Sequence, residues 1–452
     1  MKVVVIGNGK VGRSIVEHTT KEGHVVTIID KNAELIEDII DEFDVMGVVG
    51  NGASYDILKE AGVGKADLVV AATDSDEINI LACLIAQKIG ACATVARVRS
   101  YEYNNQLDII RDGLGITMPI NPEKETADEI TKILNFPEAI RVDSFTNGNV
   151  DLVELYIPED SKLIGESLLS IYQQYQIKVL VCIVERNGEV IIPTGNFTFE
   201  PKDRIYITAS SRQILRTFLT KAGLIESKIK NVMIVGGGKI SVYLGKELLK
   251  NKFNVKIIEE NKERCVELSV LLPNATIIHG DGTDQTVLEE EGIKTTDAIV
   301  CLTGSDEENI IVSMFAKQNK VKKVITKINK PSLIDIMNSV SIASVVSTKD
   351  ITASKIISYI RSVNNKRGSK LITLHKLANN GVEALEFHAK NNKKIINIPL
   401  KDLKLKKNIL IAAIIRNDEI IIPSGNDFIA LDDKVIVVTT NQFLEDLNQI
   451  LE

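Results

Sequence analysis

The sequence predicts an α/β protein with two Rossmann-like, doubly wound parallel-sheet domains, each followed by a small α+β subdomain. The first observation behind this prediction is a duplication, because the chain of 452 residues repeats its motifs at an offset of about 230 positions. The second observation is that short apolar runs alternate with segments of helical periodicity in both halves. This alternation is typical of βαβ units and a parallel sheet.

Two motifs show the duplication most clearly. The loop GNGKVG at residues 7–12 returns as GGGKIS at 236–241, and the run TDSDE at 73–77 returns as TGSDE at 303–307. The offset exceeds the length of any solenoid repeat, so a whole module of two domains occurs twice. We therefore predict four structural units, at residues 1–120, 140–225, 229–349 and 369–452.

The first module shows the expected order of strands and helices. Five apolar runs predict the strands of its parallel sheet, at residues 3–6, 25–29, 45–49, 68–72 and 93–98. Helical periodicity predicts the connecting helices, at residues 12–21, 33–43, 54–61 and 78–89, and an exit helix at 126–134. Right-handed crossovers between parallel strands then give the doubly wound arrangement.

The remaining elements complete the two modules. The first small subdomain has four predicted strands and a closing helix, at residues 151–157, 179–185, 189–192, 204–209 and 213–222. The second module has predicted parallel strands at 232–235, 255–258, 276–278, 298–302 and 324–328, and an exit helix at 353–362. The polar run 364–369 is predicted to be the linker to the second small subdomain.

Composition argues against several classes of protein. Lys plus Arg number 54 against 61 for Asp plus Glu, a net charge of −7, which argues against a large nucleic-acid footprint. The five cysteines lack CxxC spacing, so we interpret them as reduced packing residues of a cytosolic protein. No apolar run approaches the ~20 residues of a membrane helix, and the N-terminus enters a strand without a signal peptide. We expect a cytoplasmic protein.

The first glycine loop follows an apolar strand and opens a helix, which is the context that makes this pattern informative. Gly7 permits the tight turn, Gly9 lets the backbone approach a pyrophosphate, and Gly12 lets the helix pack close to the strand. The helix N-terminus then offers N–H groups to phosphate oxygens. The candidate cofactor-binding residues of this loop are Gly7, Asn8, Gly9, Lys10, Val11 and Gly12.

Further candidates follow other strands, at the edge where ligands of open α/β sheets bind. Asp30 ends the second predicted strand, where a carboxylate accepts hydrogen bonds from a ribose diol and repels a 2′-phosphate; the sequence therefore favours NAD(H) over NADP(H). Asn51 is a candidate for the adenine edge, Thr73 and Asp74 for the ribose or the central phosphates, and Arg97 for phosphate oxygens. The alternative for the glycine loop is a tight turn that binds no ligand. The alternative for each of the other residues is that it stabilises a turn or is a charge exposed to solvent.

The second copy keeps this pattern with three changes. Ser241 stands where the first copy has Gly12, so the helix is expected to lie slightly further from the strand. Lys327 stands in place of Arg97 and offers only a point charge, and Gly304 stands in place of Asp74. A nucleotide is expected here too, and its candidate contacts are Gly236, Gly237, Gly238, Lys239, Ile240, Glu259, Asp281 and Thr303.

The sequence lacks the groups that chemistry on a nicotinamide needs. The five histidines have no metal-ligand spacing and none pairs with a nucleophile motif, so we predict neither a metal site nor a catalytic residue. No second large substrate domain follows either Rossmann-like unit. We therefore predict a protein that is not an enzyme; the alternative is an NAD-dependent oxidoreductase with a duplicated Rossmann fold.

Taken together, the motifs and their order resemble a known family. The residues that resemble the N-terminal half of an RCK (KTN) domain, a regulator of potassium conductance, are 4–12, Asp30, 50–52, 72–74 and Arg97. Those that resemble its C-terminal subdomain are 161–165, 191–196 and 202–204. Both halves occur twice, so nearly the whole chain is similar to a tandem RCK protein.

The resemblance implies a regulatory role. Such proteins form a homo-oligomeric ring on the cytoplasmic face of a potassium-transporting membrane subunit, here expected to be of the Trk type. Bound nucleotide sets the shape of the ring, and NAD(H), ATP and ADP all stay open as the effector. Single RCK units pair with one another, so the duplication is expected to place that pairing within one chain.

Overall fold

The computed structural model describes residues 1–452 except 101, 102, 104, 105, 107, 108, 147–149, 226–228, 341, 342, 365–369, 379, 380, 391–393, 442 and 443. The predicted linker therefore lies, after residue 364, outside the described residues. Two parallel and two antiparallel sheets alternate along the chain. This is the predicted fold class, and it is confirmed.

The first parallel sheet contains the strands β1 (Lys2–Ile6), β2 (Val25–Asp30), β3 (Met46–Val49), β4 (Leu68–Ala71), β5 (Thr94–Arg97) and β6 (Met118–Ile120). They lie in the order β3-β2-β1-β4-β5-β6, which is the doubly wound order. The central strands β1 and β4 are buried on both faces because helices cover both sides of the sheet. The order reverses beside β1, so the crevice for a ligand opens at the end of β1.

The first small subdomain is an antiparallel sheet with strands β7 (Arg141–Phe145), β8 (Val150–Tyr156), β9 (Val179–Arg186), β10 (Glu189–Ile191) and β11 (Arg204–Ala209), in the order β10-β9-β11-β8-β7. The second parallel sheet has strands β12 (Asn231–Val235), β13 (Asn254–Glu259), β14 (Thr276–His279), β15 (Ala298–Cys301), β16 (Lys323–Lys327) and β17 (Ser344–Val346). The last sheet has strands β18 (Lys370–Leu377), β19 (Val382–His388), β20 (Ile409–Arg416), β21 (Glu419–Ile421) and β22 (Lys434–Thr439). The second half thus repeats the first.

The α-helices of the first half are α1 (Lys10–Lys21), α2 (Ala33–Glu42), α3 (Tyr55–Glu60), α4 (Asp76–Ile89), α5 (Pro122–Asn135), α6 (Leu168–Tyr175) and α7 (Arg212–Lys221). Those of the second half are α8 (Lys239–Lys250), α9 (Lys262–Leu271), α10 (Gln285–Glu290), α11 (Asp306–Gln318), α12 (Pro331–Val340) and α13 (Thr348–Asn364). Helix α4 begins two residues before the predicted start because the Ser75 hydroxyl accepts a hydrogen bond from the Ile78 N–H.

Several short elements escaped the sequence prediction. Strand β7 carries Arg141 and Asp143, whose ion pair (2.7 Å) occupies positions where an alternating strand would show apolar residues. Edge strand β6 has three residues and contains Pro119, which is typical of a strand edge and not of a central strand. Helix α6 spans eight residues, too few for a periodic pattern, although the Ser167 capping box marks its start.

The two exit helices, α5 and α13, exchange partners between the halves. Helix α5 of the first half packs against α8 of the second, and α13 packs against α1 of the first. Hydrogen bonds fix both contacts: the Asn121 Nδ2 donates to the Tyr243 hydroxyl (2.9 Å), and the Ser14 hydroxyl donates to Asp350 (3.4 Å). The pairing that the resemblance implied is therefore present within this one chain.

The two antiparallel sheets also pack against each other. Their shared apolar cluster joins Phe145, Leu152 and Tyr206 of the first small subdomain to Leu377 and Ile436 of the second. The two small subdomains thus share one interface, so a movement of one changes its contacts with the other. Among the described residues, no helix has the length and apolar character needed to cross a membrane.

Candidate nucleotide-binding loops

The first glycine loop has the geometry that its motif predicts. Gly7 has a φ of +98°, a left-handed conformation that favours glycine, and its N–H donates to the Ile29 carbonyl (2.7 Å). A Cβ at Gly12 would lie 1.8 Å from the Gly7 carbonyl oxygen, so only glycine lets α1 begin this close to the turn. A Cβ at Gly9 would meet nothing within 4 Å, so the loop faces open space there.

Asp30 holds the loop in place through its carboxylate. Its Oδ2 accepts from the Asn8 N–H (2.6 Å), and its Oδ1 accepts from the Asn32 N–H (2.9 Å). Each oxygen keeps one lone pair for a further donor, such as a ribose hydroxyl. The loop and the acidic strand end that the sequence singled out are therefore in direct contact.

The loop after β4 lies against the glycine loop, since a Cβ at Gly7 would be 3.0 Å from the Thr73 backbone. Thr73 is held by Asn79 of α4: its N–H (2.8 Å) and its hydroxyl (2.7 Å) both donate to the Asn79 Oδ1. The Asn79 amide donates in turn to the Arg97 carbonyl (2.9 Å). Asn79 thus ties the ends of β4 and β5 together beneath the crevice.

Sequence reasoning missed Asn79, which is fully buried. Its counterpart Asn309 makes the same contacts in the second half, accepting from the Thr303 N–H (2.8 Å) and donating to the Lys327 carbonyl (3.0 Å). An asparagine that recurs at the repeat offset in both helices was the signal that could have identified both residues.

Arg97 and Asp74 differ in their exposure to solvent. Arg97 is 7% exposed; one of its terminal nitrogens donates to the Ala72 carbonyl (3.3 Å) and the other lies 3.5 Å from Asp74. Burial lowers the pKa of the Arg97 guanidinium, and the nearby charge of Arg99 lowers it further. The Asp74 side chain is fully exposed. The guanidinium therefore lies under the loop that contains Ala72 and Asp74, at the floor of the crevice.

Asn51 and Asp281 occupy equivalent turns after β3 and β14. The Asn51 side chain accepts from the Ala53 N–H (3.0 Å), and Asp281 accepts from the Thr283 N–H (2.8 Å). The hydrogen bonds from Thr283 hold the pKa of the Asp281 carboxyl below its ordinary value. Both side chains stabilise their own turns, and contact of either with an adenine stays a prediction.

The second glycine loop has the same backbone conformation as the first, but the first turn of the helix that follows it contains a serine in place of a glycine. Gly236 has a φ of +99°, and Glu259 accepts from the Gly237 N–H (2.6 Å) as Asp30 does from Asn8. A Cβ at Gly238 would meet nothing within 4 Å. The Ser241 hydroxyl donates to the Gly236 carbonyl. At the position of Gly12, the serine therefore adds a hydrogen bond to the turn; a greater distance between helix and strand stays a prediction.

Two basic residues near the second loop, Arg264 and Lys327, make hydrogen bonds that differ from those around the first loop. The Arg264 Nε donates to the Gly237 carbonyl (2.8 Å), whereas the corresponding residue of α2 is Leu35. The Lys327 Nζ donates to the Thr303 carbonyl (2.6 Å). Burial lowers the pKa of Lys327, and the positive charge of Lys10 on the first loop lowers it as well. The carboxylates of Asp306 and Glu123 act in the opposite direction, so charges of both halves influence Lys327.

The residues present fit a dinucleotide. Helix α1 has no side-chain cap on its first N–H groups, which are left for an anion. The buried Asn8 Oδ1 and Arg97 Nε have no hydrogen-bond partner among the residues that the structure describes, so each has hydrogen-bonding capacity to spare beside the crevice. Among the described residues, no group of His, Cys, Asp or Glu side chains could hold a metal ion.

Two glycine loops of the dinucleotide-binding type, on paired domains of a single chain, define a class: duplicated Rossmann-fold proteins with two candidate nucleotide sites. The TrkA-N domain model matches residues 3–122 and 232–348, and the TrkA-C domain model matches 152–219 and 385–451. The chain belongs to the TrkA family.

Relatives match over the full length. The Trk system potassium uptake protein TrkA of Vibrio alginolyticus is 31% identical, over 100% of this chain and 99% of its own. That of Halomonas elongata is 30% identical, over 100% and 99%. The TrkA homolog of Archaeoglobus fulgidus is 30% identical over 100% of both chains. These names describe potassium uptake and not a catalysed reaction, so the prediction that the chain is not an enzyme is confirmed.

Solved structures share the fold. The GsuK channel bound to NAD has a TM-score of 0.64 at 15% identity, with 99% of this chain and 78% of that chain covered. The GsuK RCK domain has the same TM-score and identity, with 98% of this chain and 92% of that chain covered. The likeness shows the tandem RCK fold, which the motifs had indicated.

Proposed function

We propose that this chain is a nucleotide-binding regulatory subunit that gates a potassium-transporting membrane protein of the Trk type. The names of its relatives support potassium uptake, and the two glycine loops support a nucleotide as the effector. One structural observation carries the proposal: each glycine loop opens a helix that packs against the exit helix of the other half.

A short mechanical path connects each loop to a small subdomain. Helix α1 starts at the first loop and packs along α13, which itself packs against β18 of the second small subdomain. Helix α8 starts at the second loop and packs along α5, which leads to β7 of the first. A nucleotide that binds one arrangement of these helices more tightly than another shifts the equilibrium of the chain towards that arrangement.

Charge offers a second route between the two sites. Lys10 of the first loop contributes to the lowered pKa of Lys327 at the second. A phosphate group bound at the first loop would offset the charge of Lys10 and so weaken its repulsion of Lys327. In this proposal the second site therefore responds to occupancy of the first.

NAD(H) is the proposed effector at the first loop, because Asp30 disfavours a 2′-phosphate and both of its oxygens have a lone pair to spare. ATP and ADP are the alternatives. GsuK, which has a similar fold, has been solved bound to NAD and bound to ADP. The proposed contacts are those of the two glycine loops, the acidic strand ends and the Thr73 and Thr303 turns.

The proposed assembly is a homo-oligomeric ring on the cytoplasmic face of the cell membrane, held there by the transporter. Leu81 on α4 is 48% exposed, and its counterpart Ile311 on α11 is 57% exposed, with Met314 one turn further along. Equivalent apolar residues on both outer helices support contacts with neighbouring copies of the chain.

Gly9→Asp tests the gating proposal. The substitution fits the ligand-free loop, where a Cβ meets nothing within 4 Å, but it places a negative charge where a pyrophosphate must bind. We expect loss of nucleotide binding and of nucleotide-dependent potassium uptake, in cells that have the transporter and this chain as its sole regulator. Gly238→Asp makes the same change at the second loop, and we expect it to weaken the response.

Gly9→Ala separates steric from charge effects, because it adds a Cβ without a charge, and it should weaken binding less than Gly9→Asp does. Binding is measured by calorimetry and uptake by potassium flux. If both aspartate variants lose nucleotide binding and still regulate uptake normally, the nucleotide is a structural ligand and the gating proposal fails.

A further inference from the structure

The first small subdomain has an apolar cavity of about 200 Å³, open to the surface, between α6 and its antiparallel sheet. Ile171 of α6, Val181 of β9, Ile205 and Ile207 of β11, and Phe218 of α7 form its inner wall. These five side chains are all at most 5% exposed. An interior this apolar does not bind water well, so a cavity of this size is suited to an apolar guest.

The mouth of the cavity is apolar as well. Leu169 and Tyr172, on successive turns of α6, are 52% and 55% exposed, and the segment Pro193 to Gly195 lies opposite them. A Cβ at Gly195 would lie 2.9 Å from the Leu169 Cγ, so glycine keeps the mouth from being closed at that point. Two large exposed apolar side chains beside an apolar cavity are unusual on a surface that faces only water.

The second small subdomain has a different residue at the corresponding position of its surface. Its Lys401 N–H donates to the Gly425 carbonyl (2.9 Å), just as the Leu169 N–H donates to the Gly195 carbonyl (3.0 Å). Leu169 and Lys401 therefore occupy the same backbone position. The helical segment of the second half ends at Asp402, so Tyr172 of α6 has no counterpart in a helix there. The two halves differ where the cavity opens: the first half has a leucine at the position where the second half has a lysine.

We propose that the first small subdomain binds a small uncharged apolar ligand, an aromatic ring or a short hydrocarbon group, in this cavity. The ligand enters between α6 and the segment Pro193 to Gly195. Leu180 lines the cavity and also packs on the apolar interface between the two small subdomains. Occupancy therefore acts on the contact between the halves, at a site remote from the glycine loops and independent of a nucleotide.

Benzene and xenon are the probes for this cavity, and the full-length chain is the sample. In xenon-pressurised crystals, we expect a peak inside the first small subdomain. Benzene is expected to raise the melting temperature of the chain in a saturable way. Absence of both the xenon peak and the benzene effect would overturn the proposal.

Two variants separate the cavity from unspecific binding. Leu169→Lys introduces the residue that the second half carries, so it is compatible with the fold, and it should weaken benzene binding about tenfold by removing an apolar wall. Ile207→Phe should fill the cavity and abolish the benzene effect. Lys401→Ala, at the equivalent position of the second half, should leave the effect unchanged. A benzene effect that persists in both cavity variants contradicts the proposal.

Discussion

At the scale of single residues, the two nucleotide loops show which positions tolerate change. Asp30 and Glu259 differ in length, and both accept a backbone N–H from the glycine loop in the same way. Gly12 and Ser241 differ by a side chain, and the Ser241 hydroxyl donates to the Gly236 carbonyl. Asp30 and Glu259 were predictable from the sequence because each lies at the end of a strand that the sequence itself predicts. Asn79 was not, because its partners come from two other strands that only the fold brings together.

Asp30→Ala is predicted to reduce the discrimination between NADH and NADPH. The substitution removes a negative charge beside the position of the 2′-phosphate, where like-charge repulsion disfavours NADPH. We expect the preference for NADH, measured by calorimetric titration, to narrow about tenfold. Asp38→Ala, on the exposed face of α2, is the control and should keep the preference. Equal affinities for the two dinucleotides in the unchanged protein would refute the assignment of Asp30.

Gly12→Ala and Ser241→Gly are predicted to differ sharply in stability. A methyl group at Gly12 meets the Gly7 carbonyl at 1.8 Å, so the start of α1 must shift, at a cost of about 3 kcal/mol. Ser241→Gly loses one hydrogen bond and some helix propensity, about 1–2 kcal/mol together. Thermal unfolding should show the larger drop in melting temperature for Gly12→Ala. Equal drops would mean that the close approach at Gly12 is not required.

At the scale of elements, the exit helices decide how the halves are joined. Helix α5 ends at Asn135, and the chain then passes β16 of the second half before it forms β7. The carbonyl of Ala139 in this passage accepts a hydrogen bond from the Lys323 Nζ. Lys323 is 7% exposed. Sequence patterns predicted both exit helices but not their exchange, because helical periodicity gives an apolar face and not the partner that covers it.

Lys323→Met is predicted to stabilise the protein in a pH-dependent way. Burial lowers the pKa of Lys323 from 10.5 to about 7, so the unfolded chain binds a proton that the folded chain does not bind between these values. The wild-type protein therefore loses stability as pH falls from about 10 towards 7, and the loss stays constant below. We expect the variant to melt at a higher temperature at pH 7, with the advantage shrinking at pH 9.5.

Lys322→Met is the control for this prediction. Lys322 is the neighbouring residue, its side chain is 52% exposed, and it pairs with Asp297 (3.0 Å). Its replacement should change the melting temperature by the same small amount at pH 7 and pH 9.5. The loss of the hydrogen bond to Ala139 is independent of pH, so a Lys323→Met effect that is equal at both pH values would contradict the buried-amine explanation.

At the scale of the whole molecule, the two halves form one body. Residues of both contribute to the largest apolar cluster, in which Ile15 of α1 and Ile357 of α13 take part. The doubly wound sheets and the duplication were predictable, since each rests on local patterns within one half. The interface between the small subdomains was not, because it depends on buried polar contacts such as the Glu386 carboxylate, which accepts from the Thr146 N–H (3.0 Å).

Separate expression of the halves is predicted to fail where joint expression succeeds. A chain of residues 1–228 leaves the apolar face of α5 without α8, and a chain of 229–452 leaves α13 without α1. We expect each alone to aggregate or self-associate, and both together to elute as a one-to-one complex in size-exclusion chromatography. Two stable monomers would show that the exchange of helices is not needed for folding.

The exchanged helices have a consequence for how the protein behaves at low abundance. Two separate partners that trade helices come apart on dilution, and the fraction of working pairs then depends on how many copies a cell contains. Here both partners are tethered in one polypeptide, so each meets the other at a high effective concentration regardless of the total. The pair is preserved even when the cell holds few molecules, and a response to an effector then reports the effector alone.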